Sequence, residues 1–172
     1  MRKISTIAFI LFLSATGVKT YAQSYKFGHI NSQEILSVMP ERDSAVAKLD
    51  KFTKTLQDQV EELQVEFNKK YQDYLQKRST FTDAIREMKE KELTEMQQRA
   101  QEFQQVAEQD YQRYQGEVMK PVIEKADSAI KKVAKANGFT YIFDTSTGVI
   151  LYFSEQSVDI GPLVKKELGI TK

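Results

Sequence analysis

The residues able to do chemistry in this 172-residue chain are few. There is one histidine, His29, and no cysteine, which excludes thiolate nucleophiles, disulfides and thiolate metal sites. No second type of metal ligand clusters near His29, so it is expected to be a partly buried strand neighbour of Tyr25 and Phe27. The 24 Asp and Glu residues follow helical surface spacing, and no pair falls in a predicted cleft where one could act as acid and the other as base. A glycine-rich phosphate loop, a Walker pattern and a nucleophile elbow are all missing, so no enzymatic activity, metal or cofactor is expected. What remains is binding by aromatic and long apolar side chains. Phe67, Tyr71, Tyr74, Phe81, Ile85 and Met88 recur at helical spacing among charged residues, with Phe103, Tyr111 and Tyr114 further along. Such side chains suit weak contact with many partners. The competing reading is that each packs against a neighbouring helix, and Phe81 is the one expected to have fewest partners.

These residues lie on the stretch that dominates the chain. From Val46 to Tyr114 apolar positions recur every three or four residues, through Leu49, Phe52, Leu56, Val60, Leu63 and Phe67 to Leu93, Met96, Ala100, Phe103 and Ala107, without one proline or glycine. An apolar seam sustained this far requires a helical partner. A single helix from Pro40 to Met119 would be about 120 Å long at 1.5 Å per residue. A hairpin turning within Arg78–Asp83, where Ser, Thr and Asp weaken the helix and offer new caps, would instead give two antiparallel arms of about 60 Å each. The hairpin is favoured because it lets the two ends of the chain meet.

The ends read differently. Met1-Arg2-Lys3, an apolar run from Ile4 to Ala15 and Thr20-Tyr21-Ala22 match a secretory leader cleaved near Ala22, so the mature protein is expected to be exported. Of 25 Lys and Arg, three lie in the leader, so the mature balance is 22 minus 24, or −2. A near-neutral chain does not suit nucleic-acid binding, and membrane contact is expected to be transient at most. Residues 69–99 carry eight bases against six acids, a mildly basic region whose simplest explanation is a solvated helix face.

Tyr25–Ile30 alternates like a strand. Asn31 and Glu34 resemble a capping box for a short helix over Ser32–Met39, with Ile35 and Leu36 inward, and Pro40 fits the first turn of the next helix. Pro121 is expected to kink or restart the helical pattern, which then runs through Val122, Ala126, Ala129 and Val133 to a stop at Asn137-Gly138. Phe139–Asp144 and Val149–Phe153, joined by Thr145–Gly148, read as a β-hairpin. Val158–Ile160 is expected to extend the sheet briefly, and Pro162–Leu168 to form a closing helix. So small a core, with an aromatic edge, is poorly stabilised alone, and oligomerisation would close it.

The leader, Gly28-His29-Ile30-Asn31, Ser32-Gln33-Glu34-Ile35-Leu36, Met39-Pro40-Glu41, the charged coiled coil, and the closing Asn137–Asp144 with Ile150-Leu151-Tyr152 together resemble the Skp/OmpH family of periplasmic chaperones. The terminal segments carry the specificity. The resemblance implies an α+β, mostly helical fold, in which a long antiparallel helical hairpin forms a coiled-coil tentacle on a small β-barrel body shared between three subunits. It divides the chain into a signal peptide (1–22), an N-terminal part of the trimerisation body (23–40), the arm (41–120) and the rest of the body (121–172). Phe27, Ile30, Phe139, Tyr141, Phe143, Val149, Leu151 and Phe153 would build the body. The function implied is an ATP-independent holdase for unfolded outer-membrane proteins, with the outer-membrane assembly machinery as a further partner. Its rival is a structural coiled-coil spacer or adaptor of the envelope. The best-known members are strongly basic and this mature chain is not, so no lipopolysaccharide site is carried over.

Overall fold

A computed structural model describes residues 25–170. Strand β1, Phe27–Ile30, leads into helix α1, Ser32–Ser37. The expected capping box closes this entry: Asn31 accepts the Glu34 N–H at 3.2 Å and donates from Nδ2 to Glu34 Oε1 at 3.0 Å. Pro40 opens helix α2, Pro40–Lys77, where a missing N–H costs nothing.

The hairpin turn falls within the predicted region. A 3-10 turn at Arg78–Thr80 ends α2, Thr80 Oγ1 donating to Lys77 O at 2.7 Å. Thr82 then caps α3, Asp83–Ala136, by accepting the Ile85 N–H. Helices α2 and α3 lie together along the hairpin, with Leu49, Tyr74 and Met96 buried and the Phe52 and Tyr114 rings 4.5 Å apart.

Helix α3 corrects one expectation. It does not restart at Pro121 but continues through it as a single helix, so the boundary drawn at 120/121 falls inside one element. The residues beyond the proline explain the tolerance: Val122, Ala126, Ala129 and Val133 are buried in the core, and this packing offsets the lost hydrogen bond. The helix ends at Asn137-Gly138 as expected, with Gly138 at φ 69°. Gly138 N–H donates to Lys135 O and Phe139 N–H to Ala134 O, the paired bonds of a Schellman cap.

Strands β2, Tyr141–Asp144, and β3, Val158–Asp159, flank β1 in a sheet of order β2-β1-β3, and helix α4, Gly161–Glu167, closes the fold. Both pairings are parallel, with Phe27 opposite Tyr141, His29 opposite Phe143, and Gly28 opposite Val158. This overturns the predicted β-hairpin: β2 pairs with β1, and Val149–Phe153 forms no strand. The turn chemistry supplies the reason. Asp144 accepts Ser146 N–H at 2.9 Å, while Thr145 N–H and Oγ1 both bond Ile30 O. These bonds carry the chain over the end of β1 toward β3 instead of back along β2.

One sheet face and one helix face share the core. Ile30, Ile35, Met39, Ala45, Ile160 and Val164 pack with the buried residues of α3 beyond Pro121. Gly28 leaves room for the side chains beside it, because a Cβ there would lie 2.8 Å from Ile142 Cδ1 and 2.9 Å from the Phe139 ring.

Candidate functional site

The residues singled out by sequence divide into two surfaces. On the arms, Phe67 is half-buried and stacks on exposed Tyr71, with ring centroids 5.8 Å apart and planes inclined by 8°. Tyr74 is only 7% exposed; its hydroxyl donates to Glu90 across the hairpin, and its ring meets Phe81 at 6.3 Å. That bond to a carboxylate, and then burial, raise the Tyr74 pKa above its ordinary value. Phe81 is therefore half-buried against Tyr74, not the least partnered residue of the tip. Ile85 and Met88 face water, Met88 at 58% exposure.

The tip also carries a polar cluster. Lys70 bonds Glu92 across the hairpin, and Lys89 donates to the same carboxylate at 3.0 Å. The two ammonium groups hold Glu92 below the usual carboxylate range, and Glu92 holds Lys70 above the usual lysine value. Two cations thus share one carboxylate, so the cluster keeps the net positive charge that residues 69–99 carry.

Between tip and body the seam is not closed. Leu56, Val60, Val65, Ala107 and Tyr111 line an open groove of about 660 Å³, edged by Gln57, Gln64 and Gln104. Of its apolar walls, sequence singled out Tyr111 alone. The available signal was Ala107, a small residue at a seam position of α3 that cannot fill the space beside Leu56 and Val60.

On the body, the predicted residues separate by face. Ile30 lies in the core, and Phe139 is half-buried against it beneath the Lys26 ammonium, 4.2 Å from the ring centroid. Phe27, Tyr141 and Phe143 lie on the opposite face and stack with Tyr25, neighbouring ring centroids being 6.1–6.4 Å apart. Sequence reading did not include Tyr25 in this set. Val149, Leu151 and Tyr152 project outward at 75%, 94% and 82% exposure, while Phe153 turns back to stack on His29 at 4.0 Å. His29 Nδ1 lies 2.9 Å from Ser157 Oγ, so the lone histidine, which lines one cavity with Phe27, is held in place by Phe153 and Ser157. Among the described residues no group of three or more His, Asp or Glu side chains is arranged to hold a metal ion.

A helical hairpin stands on a small parallel sheet, and apolar surface is left open on both. The family model for outer membrane protein (OmpH-like) matches residues 26–168, and the chain belongs to that family. No curated protein matches it. The fold is that of a crystal structure from Caulobacter crescentus CB15 provisionally described as an outer membrane chaperone (OmpH-like), with a TM-score of 0.72, 12% identity and 84% of each chain covered.

Proposed function

We propose that the chain is an ATP-independent periplasmic holdase, which as a homotrimer keeps unfolded outer-membrane β-barrel proteins from aggregating before they insert. Membership of the OmpH-like family and the fold shared with the Caulobacter protein support a chaperone-type role. The observation that carries the finer reading is the unsealed arm: Ile85 and Met88 exposed at the tip, and Leu56, Val60, Val65 and Tyr111 lining an open groove below it.

A holdase must contact many sequences weakly. Dispersed apolar side chains on a charged rod meet that need, and methionine adapts its shape to its partner. The body has a different part. The stacked Phe27, Tyr141 and Phe143, together with Val149, Leu151 and Phe153, form the surface that other copies cover, and Ile30 and Phe139 support it from the core side. An exposed apolar segment beside a sheet edge otherwise invites aggregation. Three copies would bring three arms around one space, with Phe67, Tyr71, Tyr74 and Phe81 stiffening each tip behind Ile85 and Met88.

The test is light scattering of a urea-unfolded outer-membrane protein diluted into the mature chain. Ile85→Ser with Met88→Ser should weaken suppression of aggregation at unchanged oligomer mass. Full suppression by the double variant would remove the tip from the binding surface. Failure of the unsubstituted protein to suppress aggregation would favour the structural spacer.

A further inference from the structure

We propose that Asn137–Gly138 is a covalent modification site, where spontaneous deamidation converts the C-terminal cap of α3 to aspartate or isoaspartate when the cap opens. Glycine has no Cβ to shield its backbone nitrogen. Once that nitrogen gives up its proton to solvent base, it can attack Cγ of Asn137. The new N–Cγ bond forms as the Cγ–Nδ2 bond breaks, ammonia leaves, and a five-membered imide remains. Water then opens the imide, at Cγ's carbonyl to give aspartate or at the backbone carbonyl to give isoaspartate. One water is consumed, one ammonia is released and nothing is oxidised.

The fold holds every participant away from this course. Asn137 has φ −104° and ψ 5°, so the Gly138 nitrogen lies toward the Asn137 nitrogen and away from its Cβ. The attacking N–H is donated to Lys135 O at 3.3 Å, and the departing amide donates from Nδ2 to Val133 O at 2.8 Å. Lys26 Nζ holds Asn137 O at 2.9 Å, and Phe139 N–H holds Ala134 O at 3.0 Å. Reaction therefore requires release of the Schellman cap, a local opening at a helix end.

The products differ in consequence. Aspartate cannot donate to Val133 O, and it sets a carboxylate at the negative end of a 54-residue helix, near Lys26 and the Lys135 of its last turn. Isoaspartate inserts an extra backbone carbon between α3 and Phe139, whose ring packs against Gly28. That displaces the join between arm and sheet and the register of Phe27 with Tyr141.

The chain has two other asparagines, Asn31 before Ser32 and Asn68 before Lys69, which serve as internal references. The experiment is peptide mass mapping, with fragmentation that separates aspartate from isoaspartate, of the full mature chain held in mildly alkaline buffer, folded and in urea. In urea Asn137 should react faster than Asn31 and Asn68, and Gly138→Ala, where folding plays no part, should slow it. In the folded chain the rate should be at least about tenfold lower, the factor for opening a modestly stable turn. Lys26→Ala, an exposed substitution that frees Asn137 O, should raise the folded rate toward the urea rate. A rate at Asn137 in urea no greater than at the other two asparagines would overturn the proposal, and so would equal rates in folded and unfolded chain.

Discussion

Asp144 shows how much single side chains settle in this protein. It accepts from Ser32 Oγ at 2.5 Å, Ser32 N–H at 3.1 Å and Ser146 N–H at 2.9 Å, fastening the end of β2 to the start of α1. Burial alone would raise its pKa, but the serine hydroxyl and the two backbone donors outweigh burial and leave it below the ordinary aspartate value. The folded state therefore binds the proton less well than the unfolded chain does. Its stabilisation is complete above the ordinary aspartate value of about 4 and is lost as pH falls through the lower folded value. Asp144→Ala should cost about 1–3 kcal/mol near neutrality. Urea midpoints across the acid range should fall less steeply for this variant, and an unchanged slope would show that another group governs acid unfolding. Gly28 is the second such residue. Gly28→Ala should destabilise by about 1–3 kcal/mol through overpacking against Phe139 and Ile142. A variant as stable as the original would mean that the Phe139 and Ile142 side chains can shift aside.

At the scale of elements, the arms were legible because their signals are local. The three-and-four spacing, the Thr82 cap and the Asn137-Gly138 stop each act within a few residues. The sheet was not legible for the opposite reason. Phe27 pairs with Tyr141 across the whole length of the arm, and no local pattern states whether such a pairing is parallel. Val149–Phe153 has the composition of a strand, yet strand formation depends on an available partner, and the bonds of Asp144 and Thr145 direct it elsewhere. The tip residues illustrate a middle case: spacing placed Tyr74 and Phe81 on the arm, while only the structure separates buried Tyr74 from exposed Met88. The open groove gives the element-scale prediction. Ala107→Leu fills space opposite Leu56 and Val60, so it should stabilise the arms by about 0.5–2 kcal/mol and weaken client holding. Thermal unfolding and aggregation assays would read the two effects, and improved holding would place client contact outside the groove.

At the scale of the molecule, the proposed function gives the body and the arms separable tasks. Core residues such as Ile30, Ile160 and Val164 are complete within one chain, whereas Leu151 and Tyr152 contact little of their own protomer. Leu151→Ser with Tyr152→Ser should leave the far-ultraviolet circular dichroism unchanged and change protomer stability by no more than about 0.5 kcal/mol. The same variant should reduce the oligomer mass measured by sedimentation. Unchanged mass would assign assembly to the stacked Phe27, Tyr141 and Phe143 face alone.

The most direct measurement is the mass of the mature protein by light scattering after size exclusion, alone and after a urea-unfolded outer-membrane protein is diluted into it. The holdase reading requires three times the protomer mass, rising by one client that stays soluble. A stable oligomer that leaves the client to aggregate, or a protein that remains a monomer with its aromatic face uncovered, would contradict it.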